Sequence, residues 1–189
     1  MRLAIVVEGE SDVYAYRALI RRIRNDIDDI PAEHCGGRVK TKFVGFLERF
    51  QANPARPVDK ALVICDSDCQ EPRSLENGLQ SRLRASNFQE TFPVHFFATK
   101  CMIEAWLLAD EEAINRVATR RGKNRSIQPL QINLEQAREA KELFYRALSE
   151  ANLRPVPIIY GEIAEAADLQ RISERCSYFH QFAARVRAC

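Results

Sequence analysis

The chain has 189 residues, 46% of them hydrophobic and 29% charged, with a formal net charge of +2 at pH 7. That composition excludes a disordered or fibrous chain, and the charge is too mild to announce a nucleic-acid module by itself. No apolar run approaches the roughly 20 residues of a membrane span, and the apolar stretch between Arg2 and Glu8 is too short for a signal peptide, so a cytoplasmic protein is expected.

Residues 2–7 (RLAIVV) read as a buried strand. Ser11 then caps a helix whose Val13, Tyr16, Leu19, Ile20 and Ile23 recur at helical spacing. The stretch HCGGRVKTKFV offers a Gly-Gly turn and a second strand over 38–44, followed by a short helix over 45–50 before the Asn53-Pro54 break. A third strand covers 61–65 within KALVICDSD, and a helix runs from about 74 to 85. A fourth strand spans 93–99 (PVHFFAT), and CMIEAWLLAD over 101–110 reads as a helix apolar on nearly every side. Strands alternating with helices imply an α/β fold, a mainly parallel sheet of about four strands covered on both faces.

From Glu111 onward the pattern is helical, near 134–151 and 169–187, with a basic loop over 120–128 and a turn marked by Pro155 and Pro157. Ile172, Cys176, Phe179, Phe182 and Val186 form the buried stripe of the last helix. The expected organisation is an α/β core over 1–110 with a helical C-terminal region over 111–189 packed on it, one compact unit in all.

The informative residues are acids. Ligands of parallel α/β sheets bind beyond the carboxyl ends of the strands, and Glu8, Asp66 and Asp68 stand at two such ends. Residues two apart on a strand share a face, so a strand that persists to 68 projects Asp66 and Asp68 together. Clustered carboxylates repel one another and resist desolvation, and a hard cation such as Mg²⁺ or Mn²⁺ supplies the missing charge. Asp12 follows in the first helical turn, where the helix dipole alone also favours an acid. Glu104 is the only charged residue between Cys101 and Ala109, and a buried Glu needs a cation, a basic side chain or a metal. Lys100 is the candidate partner. Glu10 reads as an incidental loop acid.

Six cysteines, at 35, 65, 69, 101, 176 and 189, show no paired CxxC spacing, and a reducing compartment argues against disulfides. A zinc site from Cys65, Cys69 and His95 or Cys101 is not expected.

The Glu-Gly pair after the apolar first strand (VEGESD), joined to DSD after the third, resembles the Toprim signature of topoisomerases, primases and the overcoming-lysogenisation-defect nucleases. The run IEAWLLAD is similar to the hallmark of an uncharacterised bacterial Toprim-like family met in defence and mobile-element settings, whose late pattern is matched by RCSYF at 175–179. The resemblance implies a Toprim/Rossmann-like fold and phosphodiester hydrolysis on nucleic acid, with DNA ranked ahead of RNA although the sequence itself does not decide between them, dependent on one or two Mg²⁺ or Mn²⁺ ions and on no nucleotide cofactor. It implies Glu8, Asp66 and Asp68 as metal acids, with Glu8 doubling as general acid or base. Asp12 takes the place of a second-metal Glu, and Glu104 and Lys100 match a later acid and a catalytic lysine. Arg17 and Arg21 of the first helix, with Arg120, Arg121, Lys123 and Arg125, would contact the phosphate backbone, although such a loop is more often merely solvated. A protein partner such as an ATPase fits the same setting, and the alternative is a non-catalytic Toprim-like subunit that binds protein.

Overall fold

A computed structural model describes all residues from Met1 to Cys189. The chain runs β1 (Leu3–Val7), α1 (Glu10–Ile23), β2 (Ala32–His34), α2 (Val39–Gln51), β3 (Lys60–Asp66), α3 (Pro72–Ala85) and β4 (Val94–Thr99). It continues as α4 (Ile103–Leu107), α5 (Glu111–Arg120), a 3₁₀ turn at Leu134–Gln136, α6 (Ala140–Glu150), α7 (Pro157–Ala166), α8 (Leu169–Arg175) and α9 (Phe179–Ala188). The four strands form one parallel sheet in the order β2-β1-β3-β4.

Alternate residues of the strands feed two cores. Leu3, Ile5, Val7, Leu62, Ile64 and Phe97 pack with α1 and the C-terminal helices, while Ala4, Val6, Val63, Cys65 and Phe96 pack with α2 and α3. Both faces of β1 and β3 are therefore apolar, which is why those strands read as unbroken hydrophobic runs. The larger core joins residues from both sides of position 110: Trp106 of α4 stacks edge-on against Phe179 of α9, with ring centroids 5.1 Å apart.

Several elements differ from the sequence reading, each for a local reason. The stretch over 38–44 is not a strand. Val39, Phe43 and Leu47, four apart, make one buried helical stripe, and the strand precedes the Gly-Gly turn instead. The helix expected over 101–110 breaks after Leu107, because Asp110 and Glu111 are drawn into a buried ion cluster with Arg116, Arg171 and Arg175. The helix expected over 169–187 splits at 176–178, where the Glu135 carboxylate accepts hydrogen bonds from the Tyr178 N–H at 2.6 Å and the Ser177 hydroxyl at 3.0 Å. Pro157 starts α7 rather than a bare turn, a position whose fixed φ suits a helix start. Gly161 lets α7 lie close on α1, since a Cβ there would stand 3.2 Å from that of Tyr14.

Cysteine pairing also departs from expectation. Cys69 and Cys101 form a disulfide. The loops that follow the paired strands β3 and β4 emerge side by side, so residues 32 apart in sequence meet. The same bond removes Cys69 and Cys101 from the zinc grouping considered above.

Candidate functional site

The strand order reverses between β1 and β3, and this switch point opens a crevice at their carboxyl ends. Glu8 leaves β1 there and Asp66 ends β3. The intervening turn brings α2 to the same place: Gly36 and Gly37 adopt φ of +57° and +74°, a region open to glycine, and the Gly37 N–H donates to the Glu8 carbonyl at 3.0 Å.

Glu8, Asp12, Asp66 and Glu104 all line one cavity of about 260 Å³. Each carboxylate has a neutral hydrogen-bond donor. The Asp12 Oδ2 accepts from the Gly9 N–H at 2.8 Å, and the Asp66 Oδ1 accepts from the Thr99 hydroxyl at 2.8 Å. The Glu104 Oε1 accepts from the Tyr160 hydroxyl at 3.2 Å, and the Glu8 Oε2 accepts from the Val39 N–H at 3.4 Å. These bonds do not offset the burial and mutual repulsion. Burial, then the Glu104 and Glu8 charges, push the Asp12 carboxyl up to about 7 despite the Gly9 bond. Burial, then Asp12 and Glu104, push Asp66 well above the usual carboxylate range, and burial raises Glu8 and Glu104 as well.

Of the lysines, only Lys141 of α6 lines the cavity. Burial works against its ammonium, but Glu104, then Tyr145, Asp12 and Asp66 outweigh it and hold its pKa above the ordinary value. Lys141 thus takes the place expected of Lys100, which does not line the cavity. No pattern near Glu104 announces Lys141; the signal was the unmet need of a buried acid, and α6 answers it from 37 positions away in sequence. Tyr160 and Tyr145 were likewise missed, because α7 and α6 reach the site only through tertiary packing.

Asp68 is not with the other acids. The strand ends at Asp66, the chain turns with φ of +49° at Asp68, and the Asp68 N–H donates to the Cys101 carbonyl at 3.2 Å. Its exposed side chain faces Lys40 at 3.9 Å, so Asp66 and Asp68 do not project together. Of the expected backbone-binding residues, Arg17 and Arg21 line a groove between α1 and α7. Arg121 pairs with Glu162 at 2.5 Å, and Arg120, Lys123 and Arg125, at the end of α5 and in the loop after it, do not line the acid cavity. Glu10 is exposed at the cavity mouth.

No three His, Cys, Asp or Glu side chains stand close enough to hold an ion as they are. The donor chemistry nevertheless fits a hard cation: four carboxylates all raised by burial, Asp12 and Asp66 further by their acid neighbours, and with them the buried Tyr16 hydroxyl, which has no hydrogen-bond partner and feels the Asp66, Asp12 and Glu104 charges.

The family described as Domain of unknown function (DUF4276) matches residues 7–187. The chain belongs to this family. All four acids and Lys141 fall within the DUF4276 match. No curated protein matches the chain. Among solved structures, the C-terminal region of the Burkholderia pseudomallei OLD protein is similar over 98% of this chain and 97% of that one, with 14% identity and a TM-score of 0.46. That likeness is too loose to transfer residue roles. No helix is long and apolar enough to cross a membrane.

Proposed function

We propose that the chain is a Mg²⁺- or Mn²⁺-dependent nuclease of the Toprim type that hydrolyses phosphodiester bonds, with DNA as the preferred substrate. The reading is carried by the convergence of Glu8, Asp12, Asp66 and Glu104 on one cavity that also holds Lys141. The four acids would hold one or two ions, and when bound these supply Lewis acidity at a scissile phosphate and charge for the departing oxygen. Asp68 joins them only if its loop turns inward.

The chain's own groups do the rest. Lys141 stays protonated through the neutral range and offers its ammonium to a phosphate oxygen. Glu8, only partly buried and held by the single Val39 N–H, is placed to take a proton from water or return one to the leaving oxygen. Arg17 and Arg21 continue the path along α1 for the flanking backbone. A defence or mobile-element setting, with an ATPase as partner, belongs to the same reading.

The test is cleavage of plasmid, linear and single-stranded DNA and of RNA with each metal. Glu8→Gln, Asp66→Asn and Lys141→Gln each lose about 100-fold or more, while Lys100→Gln stays near wild type. Cleavage that survives both Glu8→Gln and Asp66→Asn refutes the assignment. A folded chain that binds neither metal by titration calorimetry, even with DNA present, points instead to the non-catalytic protein-binding subunit.

A further inference from the structure

The surface exposes five large hydrophobic residues, among them Tyr145 on the wall of the acid cavity and Tyr14 and Ile158 in a groove between α1 and α7. Tyr145 lines the cavity itself; Val156 and Ile158 flank Pro157, which also lines it. The groove that holds Tyr14 and Ile158 neighbours the cavity along α7, where Pro157 and Tyr160 line the one and Ile158 and Gly161 the other. Tyr145 is 41% exposed on the cavity wall, so its ring is open to solvent. Tyr14 is equally exposed on a helix whose neighbouring turns place Arg17 and Arg21 in the same groove. Arg17 uses only its Nε internally, on the Ile30 carbonyl at 2.8 Å, which leaves the remainder of the guanidinium for a phosphate. On the facing wall Glu162 pairs with Arg121 and Glu165 has no ion-pair partner, so the groove sets two arginines against one unpaired acid.

Exposed aromatic rings interleaved with arginines are the surface that binds a single strand, because every unpaired base offers a π-face and every linkage a charge. A duplex hides those faces. The net charge of +2 is also small for a protein that must hold duplex by its backbone alone, so affinity has to come from somewhere else. The acids lie recessed in a cavity of about 260 Å³, and a flexible strand folds a phosphate into such a recess more cheaply than a stiff duplex, which has to bend to do so.

We propose that Tyr145 on the cavity wall and Tyr14 in the neighbouring groove form a stacking platform for unpaired bases, so that the acid cavity acts on single strands, flaps or overhangs rather than on continuous duplex. This inference rests on the phosphodiester reading above. It is tested by fluorescence anisotropy in EDTA, with one labelled oligodeoxynucleotide presented as a single strand or annealed to its complement with blunt ends. The single strand binds more tightly, Tyr145→Ala weakens it by about 5- to 150-fold, the range for one base stacked on an aromatic ring, and Tyr145→Phe stays close to wild type. Thermal melts of each variant that match wild type secure the comparison.

Equal affinity for the blunt duplex, an unaffected Tyr145→Ala, or a Tyr145→Phe as damaged as Tyr145→Ala each overturns the platform. So does a change from dimer to monomer on sedimentation of Tyr14→Ala with oligonucleotide binding intact, which would make the patch a protein interface. Strand binding that depends on Tyr145 without cleavage in Mg²⁺ or Mn²⁺ sinks the nuclease reading and leaves the platform. Cleavage of blunt duplex that ignores Tyr145→Ala does the reverse.

Discussion

Asp12 shows what crowding does to a single side chain. It sits at the third position of α1 and reaches back to the Gly9 N–H, an ordinary way to begin a helix, and yet its carboxyl rises from 3.8 to about 7. Between those pH values the unfolded chain has lost this proton and the folded chain keeps it, so stability falls as pH rises through the window and levels off above about 7. Asp66, Glu104 and Glu8 are raised too and add to the same slope. In EDTA the urea midpoint is therefore lower at pH 8 than at pH 5. Asp12→Asn flattens that slope and is more stable than wild type at pH 8 by about 1 to 3 kcal/mol. A variant less stable than wild type at pH 8 would show that the carboxylate is compensated after all. Glu8, Asp66 and Glu104 were legible in the sequence because an acid at a strand end or on an apolar helix is conspicuous. The role of Lys141 was not, since a lysine on an amphipathic helix looks like any solvated lysine.

At the scale of elements, the strands β1, β3 and β4 could be read directly because burial on both faces leaves no alternative to an apolar run. Helix boundaries could not, because side chains from elsewhere in the chain decide them. The buried pair Asp110 and Glu111, each 1% exposed, ends the α4 region and ties α5 to α8 through Arg116, Arg171 and Arg175. Glu111→Gln takes from Arg175 its one carboxylate and from Arg171 one of two, and costs about 3 to 5 kcal/mol by chemical denaturation, while metal affinity of the refolded variant is unchanged. A cost under about 1 kcal/mol would mean that the cluster is solvated. The disulfide between Cys69 and Cys101 joins the loops after β3 and β4. Reduction by dithiothreitol lowers stability by about 2 to 4 kcal/mol, and the double variant Cys69→Ser, Cys101→Ser no longer responds to the reductant. Wild type that melts identically with and without reductant would show that the bond is absent in solution. At the sheet edge, Glu76 accepts a hydrogen bond from the Ala98 N–H of β4 at 3.1 Å, which removes one free donor from an edge open to strand addition.

At the scale of the whole molecule, the larger core does not respect the division at residue 110. Leu3, Ile5, Leu62 and Phe97 of the sheet share it with Ile163, Phe179, Phe182 and Val186 of the C-terminal helices. A segment covering 1–110 alone would expose that sheet face, and it gives no cooperative thermal transition and binds a hydrophobic dye. A sharp unfolding transition of that segment would establish the two parts as independent folding units. The site has the same dependence, because Lys141, Tyr145 and Tyr160 come from the C-terminal helices and Glu8, Asp12, Asp66 and Glu104 from the α/β part. The sequence by itself determined the parallel α/β architecture and the acids at its strand ends, because periodicity and burial act over a few neighbouring residues. Only the tertiary structure decided that Asp68 turns away toward Lys40, that Cys69 meets Cys101, and that Lys141 rather than Lys100 stands among the acids. Those outcomes depend on how segments far apart in sequence pack together, and no local pattern records that.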